Sequence, residues 1–171
     1  MHVGKWSVRV TWLISDANII IDMKAGNILE KMFKLPENFA APNILYAEEL
    51  AEHHPELPVL GLSILDVQEE FVIEAYRLGS VYKKPGNNDL LALALAKQEQ
   101  CPLLTGDKDL RVAAEAEKIE LRGTLWLVER LFEEKQLDYT SVVISYNLMK
   151  EEQRRLPWDE VDKQIKRFKQ K

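Results

Sequence analysis

The segment Asp89-Leu90-Leu91-Ala92-Leu93-Ala94-Leu95-Ala96-Lys97 carries apolar residues on nearly every side of a helix. A surface helix shows an apolar stripe on one side only, so this one has to be covered all round. The economical cover is a β-sheet on one side and further helices on the other. Short apolar runs elsewhere supply that sheet. Val8 to Ile14 reads as a strand from its β-branched and aromatic content, and Phe39 to Leu45 and Val59 to Leu65 as two more. Leu103-Leu104-Thr105 is too short for anything but a buried strand, and Ile119 to Leu121 is a last one.

Helical periods fall between these runs, at Ile28 to Phe33, Tyr46 to Glu52, Gln68 to Val81, Asp89 to Glu99 and Asp109 to Glu117. Lys84 to Asn88 reads as a turn. Strands alternating with helices predict an α/β fold with a mostly parallel sheet covered on both faces. Beyond it the chain is helical. Thr124 is placed to cap a helix over 125–134, Asp138 one over 139–152, and Pro157 suits the first turn of a last helix. There Trp158, Val161, Ile165 and Phe168 form a stripe that packs internally or covers a partner's surface. A single domain over 1–171 is expected, with a core at about 8–122 and a helical C-terminal segment at about 123–171.

Five acidic residues stand beside apolar runs, the wrong place for solvated surface charge. Asp16 ends the first strand, Glu49 follows Ile44-Leu45-Tyr46-Ala47, Asp89 opens the buried helix, and Asp107 and Asp109 follow Leu103-Leu104-Thr105-Gly106. Taken singly, such residues are most simply helix caps or exposed helix faces: Asp109 reads as the cap of its helix, Glu48 and Glu49 as a solvated face, and Asp22 as a turn or surface residue. As a set they suggest a site. In open parallel sheets ligands bind beyond the carboxyl ends of the strands, where Asp16 and Asp107 would meet. Clustered carboxylates repel unless a cation neutralises them, and hard cations such as Mg²⁺ or Mn²⁺ take oxygen ligands. Metal-assisted phosphodiester hydrolysis needs little more.

The ordered set Asp16-Ala17-Asn18-Ile19-Ile20-Ile21-Asp22, Glu49-Leu50, Asp89-Leu90-Leu91-Ala92-Leu93-Ala94 and Thr105-Gly106-Asp107-Lys108-Asp109-Leu110 resembles the PIN-domain family of metal-dependent ribonucleases. Gly123-Thr124-Leu125-Trp126-Leu127-Val128 and Arg154-Arg155-Leu156-Pro157 extend the likeness to the VapC-like toxins of prokaryotic toxin–antitoxin pairs. The resemblance implies a three-layer α/β/α PIN-like fold and a Mg²⁺- or Mn²⁺-dependent endoribonuclease, dimeric and restrained by a small antitoxin. It implies Asp16, Glu49, Asp89 and Asp107 as catalytic metal ligands, with Asp109 auxiliary. Asn18 and Thr105 would orient carboxylates through hydrogen bonds. The family glutamate precedes Leu, which favours Glu49 over the adjacent Glu48.

The net charge of −5 argues against a basic nucleic-acid coat, although Lys83, Lys84, Lys108, Arg111, Arg154 and Arg155 could guide a phosphate backbone. Cys101 is the only cysteine, and no apolar run approaches the roughly 18 residues of a membrane span. A cytoplasmic protein without a membrane partner is therefore expected. The alternatives are a catalytically silent PIN-like module that holds RNA or protein, and an aspartate-phosphorylating α/β domain. The second lacks the Asp expected at position 18, which is Asn.

Overall fold

The computed structural model describes residues 10–171. Five strands form one parallel sheet: β1 (Trp12–Ser15), β2 (Asn38–Pro42), β3 (Ser63–Leu65), β4 (Leu103–Leu104) and β5 (Leu121–Arg122). Their order is β3-β2-β1-β4-β5, so β1 is central. Ile14 is level with Ala40 of β2 and Leu103 of β4, and Ser15 with Leu104. The chain winds outward from β1 through β2 to β3, then returns to the other side of β1 for β4 and β5. The reversal lies between β1 and β4, which is where an open parallel sheet leaves a crevice beyond its carboxyl edge.

Helices cover both faces, giving the expected three-layer α/β/α arrangement. They are α1 (Ala17–Ala25), α2 (Leu29–Met32), α3 (Asn43–Leu45), α4 (Leu57–Leu60), α5 (Glu69–Val81), α6 (Asn87–Glu99), α7 (Lys108–Ala116), α8 (Thr124–Glu133), α9 (Tyr139–Glu151) and α10 (Trp158–Lys169). The all-round apolar segment is α6. It lies across β1, β2 and β4, with α5 along its outer side, and Leu90 and Ala92 to Ala96 are buried. Lys97 of α6 and Arg77 of α5 both pair with Glu74 and Glu117, tying α5, α6 and the end of α7 together. Among the described residues no helix is long and apolar enough to cross a membrane.

Several boundaries differ from the sequence expectation, each for a local reason. The first strand runs over 12–15, and residues 8 and 9 of its expected span lie outside the described residues. The segment 59–65 is strand only at Ser63–Leu65. Pro58 sits in the first turn of α4, and Gly61 at φ 132° turns the chain where a side chain would be strained. The second strand stops at Pro42, and α3 passes into a π-helical turn over Tyr46–Leu50, closed by Ala51 N–H donating to the Tyr46 carbonyl. Asn87 and Asn88, expected in a turn, are the first residues of α6, because Gly86 is its N-cap. The N-cap of α7 is Asp107, not Asp109, and that of α8 is Gly123, not Thr124.

The C-terminal stripe packs internally. Val161 and Phe168 are buried, Trp158 and Ile165 pack against the core, and the Phe168 ring stacks on Phe132 with centroids 3.9 Å apart. Helix α9 reaches α1 closely at Gly26, where a Cβ would stand 2.6 Å from the Met149 methyl group. Beside that contact is a buried polar knot. Asp22, expected on the surface, is 3% exposed. It accepts from Thr124 Oγ1 at 2.7 Å and from Arg154 Nε at 2.6 Å. Thr124 thus spends its hydroxyl on Asp22 rather than on a cap, and Arg154 is held by Asp22 rather than free for phosphate. Removing one member of a buried pair leaves the other charged and uncompensated. Arg154→Met is therefore expected to cost about 3 kcal/mol of stability in urea denaturation. The neighbouring exposed Arg155→Met should stay within about 0.5 kcal/mol of wild type.

Candidate metal centre at the carboxyl edge of the sheet

Asp16, Glu49, Asp89 and Asp107 each stand on a different element. Asp16 leaves β1 and caps α1, accepting from Ile19 N–H at 3.0 Å through Oδ1. Its backbone N–H donates to Leu104 of β4 at 3.1 Å, which fixes the two strand ends side by side. Asp107 leaves β4 two residues later and caps α7 through Oδ1, which accepts from Asp109 N–H at 2.8 Å and Leu110 N–H at 3.4 Å. Both positions exploit the orphan N–H groups and positive end of a helix to hold a carboxylate. Asp89 lies in the first turn of α6 and accepts from Gly86 N–H at 3.3 Å. Glu49 is carried by the π-helical turn, a feature that often re-aims side chains at functional sites.

Thr105 joins the two central acids. Its hydroxyl donates to Asp16 Oδ2 and accepts from Asp107 N–H at 3.0 Å. Asn18 differs from its expected role: its side chain bonds to no carboxylate among the described residues, while its backbone carbonyl accepts from Arg154 at 3.4 Å. Asn18 instead lines a cavity of about 660 Å³ together with Asp107, Lys108, Asp109 and Arg155.

The electrostatics couple the four acids through Asp89. Asp16 is fully buried, and its pKa is pushed from 3.8 to about 7. Burial is the main cause, opposed by the hydrogen bonds from Thr105 and Ile19, and the charges of Asp89 and Asp107 add to it. Asp89 is raised as well, by burial first and then by Asp107 and Glu49. Of the adjacent glutamates it is Glu49, not Glu48, whose charge reaches Asp89. Asp16, Glu49, Asp89 and Asp107 have no ion-pair partner among the described residues, whereas Asp22, with a comparable apolar flank, has Arg154. Asp109 lies at the rim, half-buried.

An all-oxygen donor set with uncompensated negative charge fits a hard divalent cation in chemistry and in sign. The side chains are not drawn in around one point: among the described residues no three His, Cys, Asp or Glu side chains are placed to share an ion. Asp16 and Asp107 each keep one oxygen turned to a helix N–H, and mutual repulsion works against closure of the rest.

Comparison with known proteins gives the family. A family model described as a PIN domain matches residues 12–170, which spans the whole sheet, all the acidic residues and the C-terminal helices. The chain belongs to the PIN-domain family, a nuclease fold. No curated protein matches it.

Sequence reasoning missed the knot of Asp22, Thr124 and Arg154. The signal for Asp22 was the one that singled out the other acids: a carboxylate flanked by Ile19-Ile20-Ile21 and Met23. The signal for Arg154 was absent, since nothing local distinguishes an arginine that reaches back 132 residues.

Asp16 sets a pH dependence whose sign follows from its raised pKa. Between 3.8 and about 7 the folded protein keeps a proton that the unfolded chain has released. Stability from this group is therefore full below the lower value and is lost as pH rises through the upper one. In EDTA, Asp16→Asn should raise the urea midpoint relative to wild type more at about pH 8 than at about pH 5. An equal effect at both pH values would contradict the raised pKa.

Proposed function

We propose that this protein is a divalent-metal-dependent endoribonuclease that hydrolyses RNA phosphodiesters. The reading is supported by Asp16, Glu49, Asp89 and Asp107, which stand on four separate elements, are coupled in charge through Asp89, and have no basic partner among the described residues. Such an arrangement costs stability unless a cation joins it. In this reading the four acids hold Mg²⁺ or Mn²⁺, with Asp109 assisting from the rim. When bound, the ion acidifies a water and neutralises charge on the phosphate oxygens. Thr105 keeps Asp16 oriented and fixes the loop that carries Asp107. Lys108 and Arg111, exposed and free of ion pairs among the described residues, are placed to meet phosphate beside the acids.

The likeness of the C-terminal segments to VapC-like proteins supports a finer assignment: the toxin of a toxin–antitoxin pair, cytoplasmic, homodimeric and held by a small antitoxin. An apolar groove of about 370 Å³ between α5 and α6, bordered by Ile44, Val72, Tyr76 and Leu91, is a surface suited to such an apolar contact. Tyr76 is 80% exposed there.

The test is cleavage of a mixed RNA pool with Mn²⁺, Mg²⁺ or EDTA, beside calorimetric titration of Mn²⁺. Asp107→Asn should lower cleavage at least about 100-fold and weaken Mn²⁺ binding, because a ligand is worth more than the groups that orient it. The fold should persist, since Asn also caps helices well. Thr105→Val should cost about 10–100-fold in metal affinity by freeing Asp16 to rotate. Wild-type activity in Asp107→Asn would overturn the site. Failure of the wild type to bind Mn²⁺ would favour a silent RNA- or protein-binding module.

A further inference from the structure

Next to the cavity that Asp107 and Asp109 line lies a second one, of about 450 Å³, with more cations than carboxylates on its wall. Gly106, in the loop after β4, borders both. The volume is within the roughly 300–1,000 Å³ usual for sites that take a small organic ligand. Three cations border it. Arg111 from α7 and Arg155 from the loop before α10 are exposed and form no ion pair among the described residues. Arg122, at the end of β5, lays its guanidinium over the Trp126 ring, 4.6 Å from the centroid. The one carboxylate on the wall, Glu160, is paired with Lys163 at 3.3 Å.

This combination has a specific meaning for a nucleic acid. Unpaired arginines beside a crevice attract and position phosphate, and a guanidinium stacked on indole offers a flat surface to a base. Arg155 borders both this cavity and the one lined by Asp107 and Asp109. We propose that this cavity seats the nucleotide next to the cleaved phosphodiester: Arg111 and Arg155 hold its backbone phosphate, and its base stacks on the Arg122–Trp126 surface. The proposal rests on RNA being the substrate. It adds that an unstacked, single-stranded nucleotide is required beside the cut, because a base held in a duplex cannot enter a cavity in the protein wall.

The experiment is fluorescence anisotropy of a dye-labelled, single-stranded RNA of about ten nucleotides. It is run in EDTA to prevent cutting and repeated over a series of salt concentrations. The logarithm of affinity falls with the logarithm of salt by about 0.7 for each phosphate neutralised on a single strand. Arg111→Gln with Arg155→Gln should therefore weaken binding and flatten that slope by about 0.7 for each arginine lost. Trp126→Leu should weaken binding roughly tenfold with the slope unchanged, and Trp126→Tyr should restore it. Lys118→Gln with Lys135→Gln, in the turns that follow α7 and α8, is the control for net charge. Thermal melting establishes that each variant is folded, and the arginine pair decides alone if Trp126→Leu is not.

The proposal is overturned if the arginine pair leaves affinity and slope as the lysine control does, or if a folded Trp126→Leu binds as tightly as wild type. Metal-dependent cleavage by the wild type, measured in parallel, separates the two readings. Cleavage with no effect of the arginine pair rejects the nucleotide seat and leaves the nuclease standing. Absence of both binding and cleavage rejects both.

Discussion

The hydroxyl of Thr105 joins the carboxylate of Asp16 to the backbone of Asp107. By donating to Asp16 and accepting from the N–H of Asp107, it ties the end of the central strand to the loop after its neighbour. The placement of Asp16 and of the loop that carries Asp107 depends on that tie. It keeps a fully buried carboxylate satisfied at one oxygen while the α1 N-terminus satisfies the other. It holds the loop that separates the acidic crevice from the arginine-lined cavity. A Thr or Ser is needed there because only a hydroxyl can donate and accept at once in so small a volume.

Burial and charge pull in opposite directions around this tie. The sheet and α6 supply a dry, rigid floor, with Leu103, Leu104 and the inner face of α6 fully buried. The same dryness raises the cost of ionising Asp16, whose pKa stands at about 7. The chain resolves a similar conflict at Asp22 by supplying Arg154 and Thr124. Among the described residues it supplies no basic partner to Asp16, Glu49, Asp89 or Asp107. Of the two buried acids of α1, Asp22 is neutralised internally, while Asp16, its N-cap, has no ion-pair partner among the described residues.

Much of the fold was legible because its signals are local. The all-round apolar α6, the short apolar strands and the intervening helical periods reported a covered parallel sheet, and the sheet is parallel throughout. The acids stood out as a set in the sequence because each stands where an apolar run begins or ends. What was misread depended on backbone geometry that composition does not encode. A π-helical turn, a glycine N-cap at Gly86 and a left-handed-side turn at Gly61 moved boundaries that hydrophobic pattern alone placed elsewhere.

Sequence by itself determined the elements, the order of the acids along the chain and the expectation of an oxygen-rich centre at a strand edge. Only the tertiary structure decided which charges meet. Arg154 closes on Asp22 while Arg155, its neighbour in the chain, borders both cavities, and the charge of Glu49 rather than Glu48 reaches Asp89. Adjacent residues of the same type point in different directions on a helix or turn. Their partners lie on elements more than a hundred positions away in the case of Arg154. Pairing is set by how helices cross and where strands end, and no local pattern carries that information.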